Sequence, residues 1–221
     1  MRRVAVPLAF ALPVLGVLLY LGTWQAQRLA WKNAILAEIA AAEAGPARRL
    51  TPNPREFEKV ALTGRFDHAR EVLLGLEVRG PTLGAHLVTP LLRDDAAPVL
   101  VDRGWVPMES RAPIARPEGP VTIEGFIRAP DIRNRFSAED DTAGRRFFTF
   151  DPTAIGAAIG LAPAPYAVVA LGSPGGLPDP ARTLPRPRNN HLGYAITWYG
   201  LALALLGVSA VWMRRRLKEP A

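Results

Sequence analysis

Cysteine is absent from this 221-residue chain, which excludes disulfides, thiolate-held zinc or iron–sulfur centres, a cysteine nucleophile and covalent attachment of a c-type haem. Histidine is scarce. His68, His86 and His191 are the only three, and no two of them have the spacing of a helical metal pair. Missing as well are a nucleophile elbow, a phosphate-binding glycine loop, a dinucleotide fingerprint and a zincin helix. Ser110, Ser137, Ser173 and Ser209 have no activating context in their local sequence. Glu139-Asp140-Asp141 reads as a solvated acidic loop, because a hard cation needs about six well-placed oxygens. The pattern is that of a non-enzyme, and a haem-modifying activity finds no acid–base or redox constellation to support it.

Positive charge is in excess, 27 Lys and Arg against 20 Asp and Glu, for a net +7. Its position matters more than its size. Arg2, Arg3, Arg214, Arg215, Arg216 and Lys218, offset only by Glu219, carry five of the seven excess charges at the two ends. The interior from Gln25 to Asn190 holds 21 basic and 19 acidic residues and is nearly balanced. With no zinc-finger, basic-zipper or RNA-binding signature, nucleic acid is excluded as a partner.

What is abundant is apolar sequence. Val4–Leu21 is an 18-residue run without a charge, extended uncharged through Gln27, and at about 1.5 Å per residue it matches a hydrocarbon core of about 30 Å. Pro7 lies in the first turn, and Pro13 predicts a mid-span kink of the kind membrane helices tolerate. A cleaved signal peptide is the competing reading, but Leu21-Gly22-Thr23-Trp24-Gln25 offers no small-x-small cleavage site. Tyr20 and Trp24 fit interfacial aromatics. Leu192–Met213 is a second uncharged stretch, of 22 residues, stopped by Arg214-Arg215-Arg216. Arginine at both outer flanks predicts two cytoplasmic termini and a main domain on the far side, the periplasm of a bacterium. No Arg- and Ser-rich amphipathic transit segment precedes the first run, which points to a bacterial inner membrane.

The expected organisation is a membrane protein of the α+β class, with two transmembrane helices flanking one periplasmic antiparallel β domain, a barrel or sandwich with a short helix. Its parts are a cytoplasmic N-terminus at 1–3, a transmembrane helix at 4–24, a helical extension at 25–44, a β-rich domain at 45–171, a Pro-rich linker at 172–190, a second transmembrane helix at 191–213 and a basic cytoplasmic tail at 214–221. Gly45-Pro46 ends the first helix. Strand-like runs follow at 58–66, 71–78, 85–92, 98–105, 121–128, 145–150 and 166–171, separated by Gly, Pro and Asp. Asp151 as N-cap and Pro152 at the first position predict a helix to Gly160. Five prolines in 172–188 predict an extended, solvated linker.

Within the β domain, Asp102-Arg103-Gly104-Trp105 reads as a strand ending in a glycine turn with an adjacent ion pair and an aromatic anchor. Gly64 reads as a bulge or turn, His68 as a turn histidine and His86 as a hydrogen-bonded structural one. His191 stands at the outer mouth of the second span, where an interfacial histidine is the simplest reading. Ala195 and Trp198 fall on its helical face, with Gly193 and Ala195 leaving room beside it. An imidazole above a small-residue groove closed by a tryptophan is the alternative, an axial ligand for a flat apolar macrocycle.

Several segments together resemble the Surfeit-locus protein one family, also called the Shy one family, of cytochrome c oxidase assembly factors. They are Gly22-Thr23-Trp24-Gln25-x-x-Arg28-Leu29-x-Trp31-Lys32, Gly64-x-Phe66-Asp67-His68, Val88-Thr89-Pro90, Val99 to Pro107, and Asn190-His191-Leu192-x-Tyr194-Ala195-x-Thr197-Trp198-Tyr199-Gly200. The match is colinear over nearly the whole chain. It departs at Asp102, where the family often has Asn, and at Glu139-Asp140-Asp141 and Phe147-Phe148, which replace an Asn-rich segment containing Trp.

The resemblance implies assembly of an aa3-type cytochrome c oxidase, with transient binding of haem a and its insertion into the catalytic subunit. Haem a synthase is a further implied partner. The family's haem-linked histidine falls on His191, with Trp198 and Tyr199 beside it, so His191 is the implied ligand to the haem iron. A cofactor-free scaffold docking through Gly200, Ala204 and Gly207 is the other reading.

Overall fold

A computed structural model describes residues 2–94, 96–109 and 112–218; Ser110 and Glu219 lie outside these residues. The chain forms two compact units. One comprises 1–38 with 186–221, and the other 39–185.

The first unit is helical. α1 runs over Arg2–Ala44 with both Pro7 and Pro13 inside it, and it ends, as expected, where Gly45 donates its N–H to the Ala41 carbonyl at 3.1 Å. At about 1.5 Å per residue it is roughly twice as long as a hydrocarbon core is thick, which agrees with charges returning to its sequence from Arg28 after the uncharged run that follows Arg3. The last helix, Arg-rich at its end, covers His191–Lys218 and is numbered α3 below. Both helices are long and apolar enough to cross a membrane.

The second unit is a mixed β-sheet of eight strands. They are β1 (Arg48–Arg49), β2 (Lys59–Phe66), β3 (Val72–Arg79), β4 (Thr82–Arg93), β5 (Ala96–Pro107), β6 (Pro120–Arg128), β7 (Arg146–Phe147) and β8 (Ala167–Ala170), with α2 (Pro152–Ile159) between β7 and β8. The order β2–β6–β8–β5–β4 closes on itself, because Arg65 and Phe66 of β2 pair with Leu92 and Leu91 of β4. The result is a five-stranded barrel with β3 and β7 added outside β4. At the closure a side chain at Gly64 would run into the Leu92 carbonyl, so this glycine permits close approach inside a strand rather than a turn.

Most pairings are antiparallel, as expected, but the two-residue β1 and β7 pair parallel with β2 and β3, and within the barrel β8 runs parallel to β5. A parallel neighbour requires a long crossover, and the segment holding β6 and α2 supplies it. α2 opens as its sequence predicts, with the Asp151 carboxylate accepting the N–H groups of Thr153 and Ala154, and it closes on Gly160 in the left-handed region. β5 explains its own uninterrupted apolar run. Val99 and Val101 enter the barrel core with Val60, Leu62 and Ile127, while Leu100 packs on the other side with Phe147, Phe150 and Ile155 of α2. A strand covered on both faces reads as continuous rather than alternating hydrophobicity.

Two expectations fail. The run at 145–150 forms only the two-residue β7, because carboxylates take its later amides: Phe148 N–H is held by Asp140 Oδ1 at 2.7 Å and Phe150 N–H by Asp131 Oδ2 at 2.8 Å. The Pro-rich segment after β8 is a strap laid on the sheet rather than a solvated linker. Trp105 and Asp179 exchange both backbone hydrogen bonds, at 2.9 and 2.8 Å, and Ala115 donates to the Leu177 carbonyl at 2.7 Å. Leu184 is buried. Gly104 makes this possible, since at φ 123° any side chain would meet the Asp179 backbone.

Candidate functional site

α1 and α3 run in opposite directions through three polar contacts. Asn189 Nδ2 donates to Asn33 Oδ1 at 2.9 Å, His191 Nδ1 lies 2.7 Å from Gln25 Oε1, and the Tyr199 hydroxyl lies 3.1 Å from Thr23 Oγ1. His191 is the first residue of α3, and the Asn190 carbonyl receives the Tyr194 N–H behind it. The residue between the contacts, Ala195, is buried. The face that sequence reading left open beside His191 is therefore the face turned to α1, whereas Gly193, on the other side, has open space around it. Gly22 is required by the same approach: a Cβ there would sit 2.9 Å from the Tyr199 ring.

His191, Trp198 and Tyr199 fall within an arc of about 100° on α3 by the helical advance. The Gln25 oxygen accepts from Nδ1, and Nε2 makes no hydrogen bond among the described residues. An imidazole oriented through one nitrogen, with the other presenting a lone pair, is the arrangement that metal-ligating histidines use. The donor set therefore fits ligation of a haem iron by one histidine. Gln25 was missed as a functional residue, although it stands in the first-span motif; its role depends on a partner 166 positions away.

The mid-chain motifs assemble elsewhere, around one largely covered carboxylate. Glu71 receives Arg103 Nη1 at 3.1 Å, Arg116 Nη2 at 2.8 Å and His68 Nδ1 at 2.9 Å, and Thr89 Oγ1 donates at 3.3 Å. Arg103 also donates to the Ala115 carbonyl and stacks over Phe66, 4.9 Å from the ring centroid. Burial lowers the Arg103 pKa from its ordinary value, and Glu71 opposes that shift. Both of its hydrogen-bonding partners, Glu71 and Ala115, belong to the same domain, so Arg103 serves the barrel's own carboxylate. It does not pair with the neighbouring Asp102, because the strand sends the two side chains to opposite faces.

Asp102 instead holds His86, whose Nδ1 lies 2.9 Å from Asp102 Oδ2 and whose Nε2 lies 2.9 Å from Glu77 Oε2. Glu77 pairs with Arg79, and Arg79 with Asp179 of the strap. His86 is thus a hydrogen-bonded histidine, as expected, but one gripped by two acids. The Asp102 hydrogen bond, followed by both carboxylate charges, raises its pKa above 6.5 against the opposing effect of burial. Hydrogen bonding from Arg79, with His86 adding to it, lowers the pKa of Glu77. By linkage, the stabilisation from charged His86 is complete below about pH 6.5 and is lost as pH rises through the raised folded value. The contribution of Glu77 runs the other way, present above about pH 4.5 and lost as pH falls through its lowered value. Thermal melts of the full chain in detergent should therefore fall as pH climbs above neutrality, and His86→Gln should flatten that alkaline slope. An unaltered slope would remove His86 as its source.

The acidic run is engaged by internal partners. Asp140 pairs with Arg133 and caps Phe148, and Asp141 Oδ1 accepts the Gly144 N–H at 2.8 Å. Among the described residues no group of three or more His, Asp or Glu is placed to hold a metal.

Comparison with known proteins gives a consistent answer. The model of the SURF1 family matches residues 12–203. Surfeit locus protein 1 of Xenopus tropicalis is 28% identical over 226 residues, covering 91% of this chain and 73% of that protein. The SURF1-like protein of Monosiga brevicollis is 31% identical, covering 90% and 83%. The cytochrome oxidase assembly protein SHY1 of Saccharomyces cerevisiae is 36% identical over 126 residues, covering 52% of this chain and 31% of that protein.

Proposed function

Since the chain belongs to the SURF1 family, we propose that it is a membrane-anchored, non-enzymatic assembly factor for cytochrome c oxidase, serving an aa3-type enzyme of a bacterial inner membrane. Its relative SHY1 is named for oxidase assembly. The chain's two apolar helices are the anchor, and its Arg-rich ends support a topology with both termini cytoplasmic and the barrel periplasmic.

Haem a is its transient cargo, received near haem a synthase and passed to the oxidase's catalytic subunit. The single observation that carries this reading is His191, fixed through Nδ1 by Gln25 with Nε2 left unpartnered at the head of α3. Trp198 and Tyr199 provide aromatic surface on the same side, with Tyr199 held in place by Thr23. One histidine ligand suits a carrier, because release then breaks a single coordination bond. Haem a itself supplies only the iron to be ligated. The chain's part is to orient the imidazole and to offer an apolar wall.

A second reading has an observation of its own. Gly193, Gly200 and Gly207 have open space where a Cβ would stand, which leaves that side of α3 free to pack against a partner helix without any haem. The two readings part on one experiment. Deleting the gene should deplete assembled aa3 oxidase several-fold, and tagged full-length chain in mild detergent should recover the catalytic subunit. Undiminished oxidase would overturn the assembly role. A His191→Ala chain that restores full assembly would leave the scaffold reading in place of the carrier.

A further inference from the structure

The segment between β6 and β7 carries the two most exposed large apolar side chains of the barrel domain, Ile132 at 92% and Phe136 at 81%. Its base is fixed: Asp131 donates its N–H to the Phe150 carbonyl at 2.9 Å, its carboxylate holds the Phe150 N–H, and Arg128 grips the same carboxylate. The tip satisfies its own backbone. Phe136 N–H reaches Asn134 Oδ1 at 2.8 Å, Asn134 N–H reaches Ser137 Oγ at 3.0 Å, and Ser137 N–H reaches the Asn134 carbonyl at 3.0 Å. Amides bonded within the tip lower the cost of leaving water, which an apolar interface demands.

Charge identifies the occupant. The stretch 132–138 carries two arginines and no acid. Arg133 is spoken for by Asp140, whereas Arg135 lies over the Phe136 ring at 4.7 Å and has no carboxylate partner among the described residues. An aromatic and an aliphatic side chain flanking a free guanidinium match the boundary between anionic headgroups and acyl chains. The barrel is joined at both ends to helices long and apolar enough to cross a bilayer, so a lipid surface is always at hand at high effective concentration.

We propose that the tip at residues 132–136 is a membrane-contact loop, which inserts Ile132 and Phe136 into the outer boundary of the bilayer that holds the chain's own helices and sets Arg135 against anionic headgroups. This is independent of the haem reading. The absence of cysteine gives a clean test. Full-length chains with Ile132→Cys, Phe136→Cys or, as an exposed control, Glu118→Cys are nitroxide-labelled and reconstituted in phosphatidylcholine vesicles with or without phosphatidylglycerol. Collision with oxygen should exceed collision with a water-soluble nickel chelate several-fold at 132 and 136, with the reverse at 118, and Arg135→Glu should weaken the effect in the anionic vesicles. Unchanged circular-dichroism melts certify that the variants fold. Nickel-dominated collisions at 132 and 136 in both vesicles would overturn the proposal. So would labels that become shielded only when the oxidase's catalytic subunit is added, which would make the loop a protein-docking surface instead.

Discussion

Full-length chain purified from cells that make haem a should carry the pigment, and His191→Ala should lose it. Among the described residues the imidazole supplies the iron-ligating nitrogen at the head of α3, and Gln25 orients it through Nδ1. Removing an orienting partner of a metal ligand costs about 10- to 100-fold in affinity, so Gln25→Leu is expected to weaken retention by about that factor, and loss of the ligand itself by more. The discriminating control is free imidazole, which should restore haem a to His191→Ala by refilling the vacated position. Haem a content unchanged in His191→Ala, read from spectrum and stoichiometry, would sink the assignment.

The largest effect on stability should come from Glu71. Its carboxylate, 10% exposed, is the meeting point of Arg103, itself 8% exposed, with Arg116 and His68. Glu71→Ala leaves the Arg103 guanidinium buried beside Phe66 with no counter-charge. Breaking a buried pair from one side costs about 3–5 kcal/mol, a large share of the stability of an ordinary domain. Glu71→Gln, which still accepts a hydrogen bond, should fall between wild type and alanine. Urea unfolding of the detergent-solubilised chain, followed by protease resistance of the barrel, measures the difference. A loss below about 1 kcal/mol would mean that the cluster is a surface arrangement.

The skeleton of this structure was legible because it depends on local pattern. Uncharged length marks α1 and α3, Gly45 ends α1, Asp151 and Pro152 open α2, and the double burial of β5 leaves its mark in an unbroken apolar run. The polar clusters were not legible in the same way. Asp102 and Arg103 look like an ion pair in one dimension, yet strand alternation sends them to His86 and Glu71, 16 and 32 positions away. The strap misled for a related reason. Proline content reports a restricted backbone and says nothing about whether another strand receives its remaining amides and carbonyls, as β5 does at Asp179. At His191 the residue itself was readable, but its neighbours were not. Room inferred beside Ala195 on an isolated helix disappears once that face meets another helix, and the meaning of Gln25 emerges only then.

The strap also works as a clasp within the β domain. Trp105 of β5 exchanges both backbone hydrogen bonds with Asp179, and Arg79 of β3 holds the Asp179 side chain. Residues 79, 105 and 179 are thus tied at one point, and lifting the strap would strip β5 of two hydrogen bonds and Arg79 of a carboxylate in the same event. A sequence that looks like a tether is the fastening of the sheet it follows.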